Sequence, residues 1–425
     1  MTALPPHLLP ATARVDGSGR LSVGGCDVVE LADRFGTPLF VYDEAHLRAR
    51  CREAVAAFGE GAVSYAAKAF LCTAMARLAA EEGLGLDVAS EGELHVALAA
   101  DVPPPRLVLH GNNKSAAELG RALEVGVGRV VVDSDDELDR VEALVAAGAP
   151  RPQVLIRVTP GVDAHTHEYV TTGRDDSKFG FGLASGAAAA AVDRARRSAA
   201  VDLVGIHAHI ASNVFLLPSF AKAVERLAPF VTGLDLPELS LGGGLGVAYV
   251  AGEESPSLSE WATVLTKACA EAGIHARLSV EPGRALVAAA ALTLYRVGTV
   301  KDLPGIRTYV SVDGGMSDNP RPVLYGSGYE AFLPRAADAE RPRTVTVVGK
   351  HCESGDVVVR DATVPADLAV DDVLATPVTG AYGHSMASNY NKVPRPPVVF
   401  VADGVAREVV RRETLDDLLR LDVVP

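Results

Sequence analysis

The sequence predicts an α/β barrel joined to an all-β domain. Three observations carry that reading. Short β-branched runs alternate with alanine-rich helical stretches through the middle of the chain, each run ends on a polar residue or glycine, and the alternation stops after Val287. Eight strand–helix units over roughly 230 residues is the count of a (β/α)8 TIM-type barrel; an open doubly wound sheet of that many units would be unusually wide.

In chain order, strands are expected over Val63–Ala67, Leu84–Val88, Arg106–Leu109, Arg129–Val132, Val154–Val158, Leu203–His209, Glu238–Leu241 and Arg277–Val280. Helical stretches lie between them, among them Leu71–Glu82, Glu91–Ala100, Ser115–Val125, Asp135–Ala147 and Ser257–Ala272. The strands terminate in Lys68, Asp87 with Ser90, His110, Asp133, Arg157, His209, Gly242-Gly243-Gly244, and Glu281 with Arg284. In a barrel those ends converge on one mouth, where catalytic groups sit. Beyond Val287 the segments Leu292–Val297, Thr308–Val312, Thr344–Val348, Val357–Val359 and Val398–Val401 are short, β-rich and punctuated by Gly, Pro and Asp, with a helix expected only at Thr414–Leu419. Strand-like pieces at Leu21–Val23 and Leu39–Tyr42 are assigned to this second, β-sandwich or β-barrel domain. The expected division is 1–44 joining the β domain, 45–290 as the barrel, and 291–425 as the C-terminal β domain.

Composition narrows the partners. The 425 residues carry 40 Lys plus Arg against 54 Asp plus Glu, a net charge of −14, which disfavours nucleic acid and anionic membranes. An anionic substrate must therefore be held by local cations. The 5 cysteines are scattered, without a CxxC or Cys/His cluster, so neither a disulfide framework nor a metal site is expected, and a cytoplasmic setting follows. The N-terminus lacks a signal-peptide layout, and no apolar run reaches the ~20 residues that span a bilayer.

Several residues carry chemistry, each beside a plainer reading. Lys68 ends an apolar strand; it is a lysine snorkelling at a rim, or a desolvated amine that condenses with a carbonyl cofactor. Gly242-Gly243-Gly244-Leu245-Gly246 is a simple turn, or, followed after the next strand by Glu281-Pro282-Gly283-Arg284, a phosphate cradle of bare backbone N–H groups. Glu281 pairs with Arg284, or sits by a pyridinium; at ~4 Å and an effective dielectric of ~20 it would contribute about 4 kcal/mol, enough to keep a ring nitrogen protonated. His209 is a hydrogen-bonded core residue or a ring-stacking one, and Cys352, beside Glu353, is a small hydrophobe or a reactive thiol.

Ser64-Tyr65-Ala66-Ala67-Lys68, His110-Gly111-Asn112-Asn113-Lys114-Ser115, Gly161-Val162-Asp163-Ala164-His165-Thr166-His167-Glu168, Asp313-Gly314-Gly315-Met316-Ser317-Asp318-Asn319 and the surroundings of Cys352 and Tyr382 together resemble diaminopimelate decarboxylases, nearly end to end. The resemblance implies an alanine-racemase-like, fold-type III enzyme that uses pyridoxal 5'-phosphate. It also implies a small-molecule amino-acid substrate and a head-to-tail homodimer with its sites at the interface. In that family's pattern Lys68 holds the cofactor as a Schiff base with Asp87 beside it, and His209 stacks on its ring. Ser212, Gly242, Gly243, Gly244, Gly283 and Arg284 hold the phosphate, and Glu281 bonds the pyridinium. Tyr382 touches cofactor and substrate. Arg284, Arg321, Tyr325 and Glu353 match substrate-binding positions, and Cys352, from the partner subunit, matches the proton donor. The implied reaction converts meso-2,6-diaminopimelate to L-lysine and CO2. This chain departs from the family at Ala211 and Asn213, where Gly and Gln are usual, and around Val323 and Gly326-Ser327-Gly328-Tyr329. A paralogous decarboxylase acting on another amino acid is therefore the alternative reading.

Overall fold

The computed structural model describes residues 4–161, 177–209 and 212–423. By internal contacts the chain divides into two units, Arg50–Val247 with Ser255–Ala285, and Met1–Ala49 with Ala248–Glu254 and Leu286–Pro425.

The first unit is the expected barrel. Strands β1 (Ser64–Ala66), β2 (Gly85–Val88), β3 (Leu107–Leu109), β4 (Arg129–Val132), β5 (Gln153–Thr159), β6 (Asp202–Ala208), β7 (Glu238–Ser240) and β8 (Arg277–Ser279) pair in parallel, in sequence order. The ring closes between its ends: Val63 bridges Val280, and Ser64 N donates to Val280 O at 3.0 Å while Val280 N donates to Ala62 O at 2.9 Å. A short extra strand, Phe181–Gly182, pairs with the end of β5.

Serines start four of the helices. Ser90 and Ser134 accept from the backbone three residues on, and Ser115 with Glu118 and Ser257 with Glu260 form reciprocal capping boxes. Each cap stabilises its helix by about 1 kcal/mol and fixes where the strand-to-helix loop ends. On the outside, fully buried Trp261 packs edge-on against Phe58 and Phe220, at 5.2 and 5.5 Å between ring centres. Inside, Val131, Leu155 and Val204, with Val108 against them, fill one part of the barrel. Smaller Ser64, Gly85 and Ser279 line a cavity of about 240 Å³.

The second unit is built on a mixed sheet. Its strands are β9 (Ala291–Leu303), β10 (Arg307–Val312), β11 (Arg343–Val348), β12 (Val357–Val364), β13 (Val373–Pro377), β14 (Val398–Ala402) and β15 (Val405–Val410). The order is β12-β11-β10-β9, then the N-terminal strand Leu39–Asp43, then β14-β15, with β13 also on β9. Leu39–Asp43 is buried at every position, antiparallel to β9 and parallel to β14. A separate three-stranded sheet is formed by Arg14–Val15, Leu21–Val23 and Cys26–Asp27.

One expected element is absent. Thr414–Leu419 forms consecutive turns rather than a helix, with Leu418 N and Leu419 N each donating three residues back. Thr414 and Asp417 bond reciprocally, Thr414 N to Asp417 Oδ2 at 2.9 Å and Asp417 N to Thr414 Oγ1 at 3.2 Å. Leu415 and Leu419 are 72% and 61% exposed, so no buried apolar face offsets the cost of nucleating a short helix.

Candidate active site

The C-terminal ends of the barrel strands bring together most of the residues expected there. Lys68 lies in a single 3-10 turn, Ala67–Ala69, directly after β1. The turn is pinned by Tyr65, whose hydroxyl donates to Phe70 O at 2.6 Å. Ala67 and Ala69 are buried while Lys68 itself is exposed. A Cβ on Gly283 would stand 3.0 Å from Ala66 Cβ and 3.1 Å from Ala69 Cβ, so the bare glycine lets the loop after β8 close on the Lys68 turn.

Glu281 follows β8 and is 8% exposed. It is not paired with Arg284, the plainer reading from sequence. Its Oε2 lies 3.0 Å from His207 Nε2, its Oε1 accepts from Ser240 Oγ at 2.8 Å, and His110 Nε2 stands 3.4 Å from Oε1. Burial pushes this carboxyl's pKa up, but His207 and His110 outweigh it and hold the group well below the usual carboxylate range. Asp87, at the end of β2, is 3.7 Å from His110 Nε2.

His209 is partly buried just past β6, and its Nδ1 accepts from Gly243 N at 3.1 Å, so its remaining proton belongs on Nε2. Burial, then the charges of Lys68 and Arg157, keep its pKa well below the ordinary value, and the ring is a neutral plate. The loops after β6 and β7 are zipped together: Val214 N donates to Gly244 O at 2.8 Å and Gly246 N to Val214 O at 2.9 Å. Asn213, shorter than the usual Gln, sits at φ 63°, a left-handed conformation that Asn tolerates better than longer side chains. A Cβ on Gly243 would lie 2.2 Å from Glu281 O. Arg284 Nη2 donates to Ser212 Oγ at 3.1 Å, which sets a guanidinium and a hydroxyl side by side near the glycine run. Ala211 and residues 162–168 of the Gly161–Glu168 motif lie outside the described residues.

These residues fit a phosphorylated pyridine aldehyde. A buried anionic carboxylate suits a ring N–H, a neutral imidazole suits a ring face, and Ser212 with Arg284 beside the glycine run suits a phosphate. The charge of Lys68 acts on His209, and the loop carrying Gly283 closes on the Lys68 turn.

The remaining expected residues belong to the second unit. Cys352 is exposed, which removes its reading as a small core hydrophobe. Its turn is braced by Asp356, which accepts from Met316 N at 2.7 Å and His351 N at 2.9 Å. His351 in turn contacts Ser317 Oγ at 2.8 Å and Asn391 Oδ1 at 3.0 Å. Glu353 accepts a short hydrogen bond from Tyr390. Arg321, 4% exposed, starts the helical turn Arg321–Tyr325. Its guanidinium lies 4.2 Å above the Tyr249 ring and donates to Tyr329 Oη at 2.6 Å. Tyr325 and Tyr382 are partly buried, Tyr382 at φ 58°.

Sequence reasoning missed His207, Ser240, Tyr249, Tyr329 and Tyr390. A signal existed for the first, since His207-Ala208-His209 alternates on a strand and places both rings on one face.

Comparison with known proteins gives the family and the fold. Residues 44–288 match the family model described as pyridoxal-dependent decarboxylase, pyridoxal binding domain. The chain is 47% identical over 440 residues to diaminopimelate decarboxylase of Mycobacterium tuberculosis, covering 99% of this chain and 98% of that protein. Against the Actinosynnema pretiosum diaminopimelate decarboxylase it is 49% identical over 430 residues, covering 99% and 96%. The crystal structure of the M. jannaschii diaminopimelate decarboxylase with L-lysine superposes at a TM-score of 0.90, with 32% identity and 98% of each chain covered.

Proposed function

This chain belongs to the diaminopimelate decarboxylases, and on that premise we propose how its residues release CO2 from meso-2,6-diaminopimelate to leave L-lysine. The observation that carries the proposal is the joint placement, at one barrel mouth, of an anionic Glu281, a neutral His209, the glycine run and the Ser212–Arg284 pair.

Pyridoxal 5'-phosphate, when bound, supplies a ring that takes up the electron pair left behind by the departing carboxyl group. Lys68 is its covalent anchor, with Asp87 close by. Glu281 accepts the ring N–H and keeps that nitrogen positive. His209 lies against the ring face. Gly242, Gly243, Gly244 and Gly283 present backbone to the phosphate, and Ser212 and Arg284 add side-chain donors. Cys352, contributed by the partner subunit of a homodimer, delivers a proton to the substrate Cα; its exposure on its own unit supports that role. Arg321, with Tyr325, pairs with the distal carboxylate that separates the diacid from lysine or ornithine, and Glu353 with the distal ammonium. Tyr382 borders both cofactor and substrate. A pocket built around a charge rejects analogues that lack it, because its own charge would be left bare. Among the described residues no helix is long and apolar enough to cross a membrane.

The test is substrate-dependent CO2 release. Wild-type protein with added cofactor is expected to act on meso-diaminopimelate and not on lysine, ornithine or arginine, and Lys68→Ala to be inactive. Borohydride should fix the cofactor on the Lys68 peptide. Equal turnover by Lys68→Ala would end the proposal. Mixing Lys68→Ala with Cys352→Ala protein should restore about a quarter of wild-type activity if each site draws on both subunits; no recovery would remove the shared site.

A further inference from the structure

Beneath Glu281, inside the barrel, lies a cluster that the proposed chemistry leaves unused. His207 and Ser240 are each 1% exposed, Asp87 6% and His110 7%. The His110 and His207 rings meet edge-on, 5.0 Å apart at 68°.

Hydrogen-bond geometry assigns the proton of His207. Among the described residues its Nδ1 is buried without a hydrogen-bond partner, whereas Nε2 faces Glu281 Oε2 at 3.0 Å. A proton on Nδ1 would be stranded in the interior, so His207 is the neutral tautomer donating from Nε2. Burial lowers its pKa, in agreement. His110 Nε2 stands between two carboxylates, 3.4 Å from Glu281 and 3.7 Å from Asp87, in hydrogen-bond geometry with neither. Burial opposes a charge there, but Asp87 and Glu281 raise the pKa of His110 above its ordinary value. The other charges facing the cluster include Arg157, held by Asp133 at 3.6 Å, and Glu93, on which Asp87 and His110 both act.

A count of acceptor directions follows. An ionised carboxylate offers about four. In Glu281, Ser240 fills one on Oε1 and His207 one on Oε2, which leaves acceptor directions for a further donor.

We propose that His207 is a positioning residue for Glu281: its Nε2–H on Oε2, beside the Ser240 hydroxyl on Oε1, keeps the carboxylate ionised and available to the cofactor's ring N–H. This rests on the reading that Glu281 takes the ring nitrogen. His207 acts through Glu281 and not on cofactor or substrate directly. One ligand atom each of His110, His207 and Glu281 lie within 4.8 Å of one another, a spacing that a bound divalent cation would also satisfy, so metal content is part of the test.

The experiment uses cofactor-stripped full-length protein titrated with two ligands: pyridoxal phosphate, and its analogue in which carbon replaces the ring nitrogen. His207→Leu removes the donor, and His207→Gln returns an N–H close to the Nε2 position. His207→Phe keeps a ring in place and is a milder variant should the leucine disturb folding, which thermal melting reports. The expected result is that His207→Leu and His207→Phe weaken pyridoxal phosphate about tenfold, as loss of a charge-assisted bond should. Both should leave the nitrogen-free analogue unchanged, and His207→Gln should bind like wild type. Equal weakening of both ligands would show a packing role and overturn the proposal, as would no weakening of either. Stoichiometric zinc or another transition metal in the purified enzyme would also overturn it. Glu281→Gln is the control for the underlying reading: if it too fails to distinguish the ligands, that reading fails; if it distinguishes them and the histidine variants do not, only the positioning role fails.

Discussion

Lys114 gives the sharpest energetic prediction. It is 3% exposed, and its amine forms an ion pair with Glu137 Oε1 at 2.7 Å and donates to Gly111 O at 2.6 Å and Val131 O at 2.8 Å. Glu137, 1% exposed, otherwise accepts from Asp133 N at 3.1 Å. The attraction at that separation is about 6 kcal/mol at an effective dielectric of ~20, and desolvation of both groups consumes most of it. Lys114→Met removes the attraction and leaves Glu137 charged in the interior, so the expected loss is roughly 3–5 kcal/mol, a large part of a typical folding free energy. The sign with pH follows from Glu137. Burial already raises its pKa above 4.5, Lys114 opposes that, and without the lysine it rises further. A raised carboxyl pKa penalises the folded state above that pKa, and the penalty fades as pH falls toward the unfolded value. Urea titrations at about pH 8 and about pH 5.5 should therefore show the variant recovering in acid, and Lys114→Met with Glu137→Met recovering at both. A loss under ~1 kcal/mol at the higher pH, an equal loss at the lower, or a double variant no better than the single would refute the buried-charge account.

Three further outcomes are expected. Burial lifts the Asp318 carboxyl from 3.8 to about 7, so wild type bears a cost that grows from about pH 4 and is complete above about pH 7; Asp318→Asn should be more stable by up to about 4 kcal/mol at about pH 8 and equal at about pH 4 by denaturant titration. Gly243→Ala puts a methyl 2.2 Å from Glu281 O, which forces the ends of β7 and β8 apart, so cofactor titration should show at least roughly tenfold weaker binding. Arg321→Lys replaces a planar fork clasped between Tyr249 and Tyr329 with a point charge, so steady-state kinetics should show KM for diaminopimelate raised roughly tenfold or more.

The barrel was legible because short apolar runs alternate with helical stretches and each run ends on a polar residue or glycine. Lys68, Glu281 and the glycine run could be located by strand number alone. What could not be read are partnerships across the ring. Nothing in the local sequence links Lys114 to Glu137, or Glu281 to His207 rather than to its near neighbour Arg284; those choices depend on strand register and on which side chains alternate inward. The exposure of Lys68 was hidden for a similar reason, since an apolar flank does not reveal that the strand gives way there to a 3-10 turn. Asn213 looked like a shortened glutamine until its positive φ supplied a reason for asparagine. Thr414–Leu419 misled because leucines at helical spacing are meaningful only where a surface exists to receive them.

The sheet that places Leu39–Asp43 between β9 and β14 has a consequence for biosynthesis. At roughly 5–20 residues per second, this strand leaves the ribosome about 20–70 s before Val398–Ala402 does. It is wholly apolar until Asp43 and must wait with both edges open while the intervening barrel folds. A nascent chain in that state is a natural client for a chaperone that shields extended apolar segments. A circular permutant that delivers the strand together with Val398–Ala402 should shorten the wait and lose the dependence.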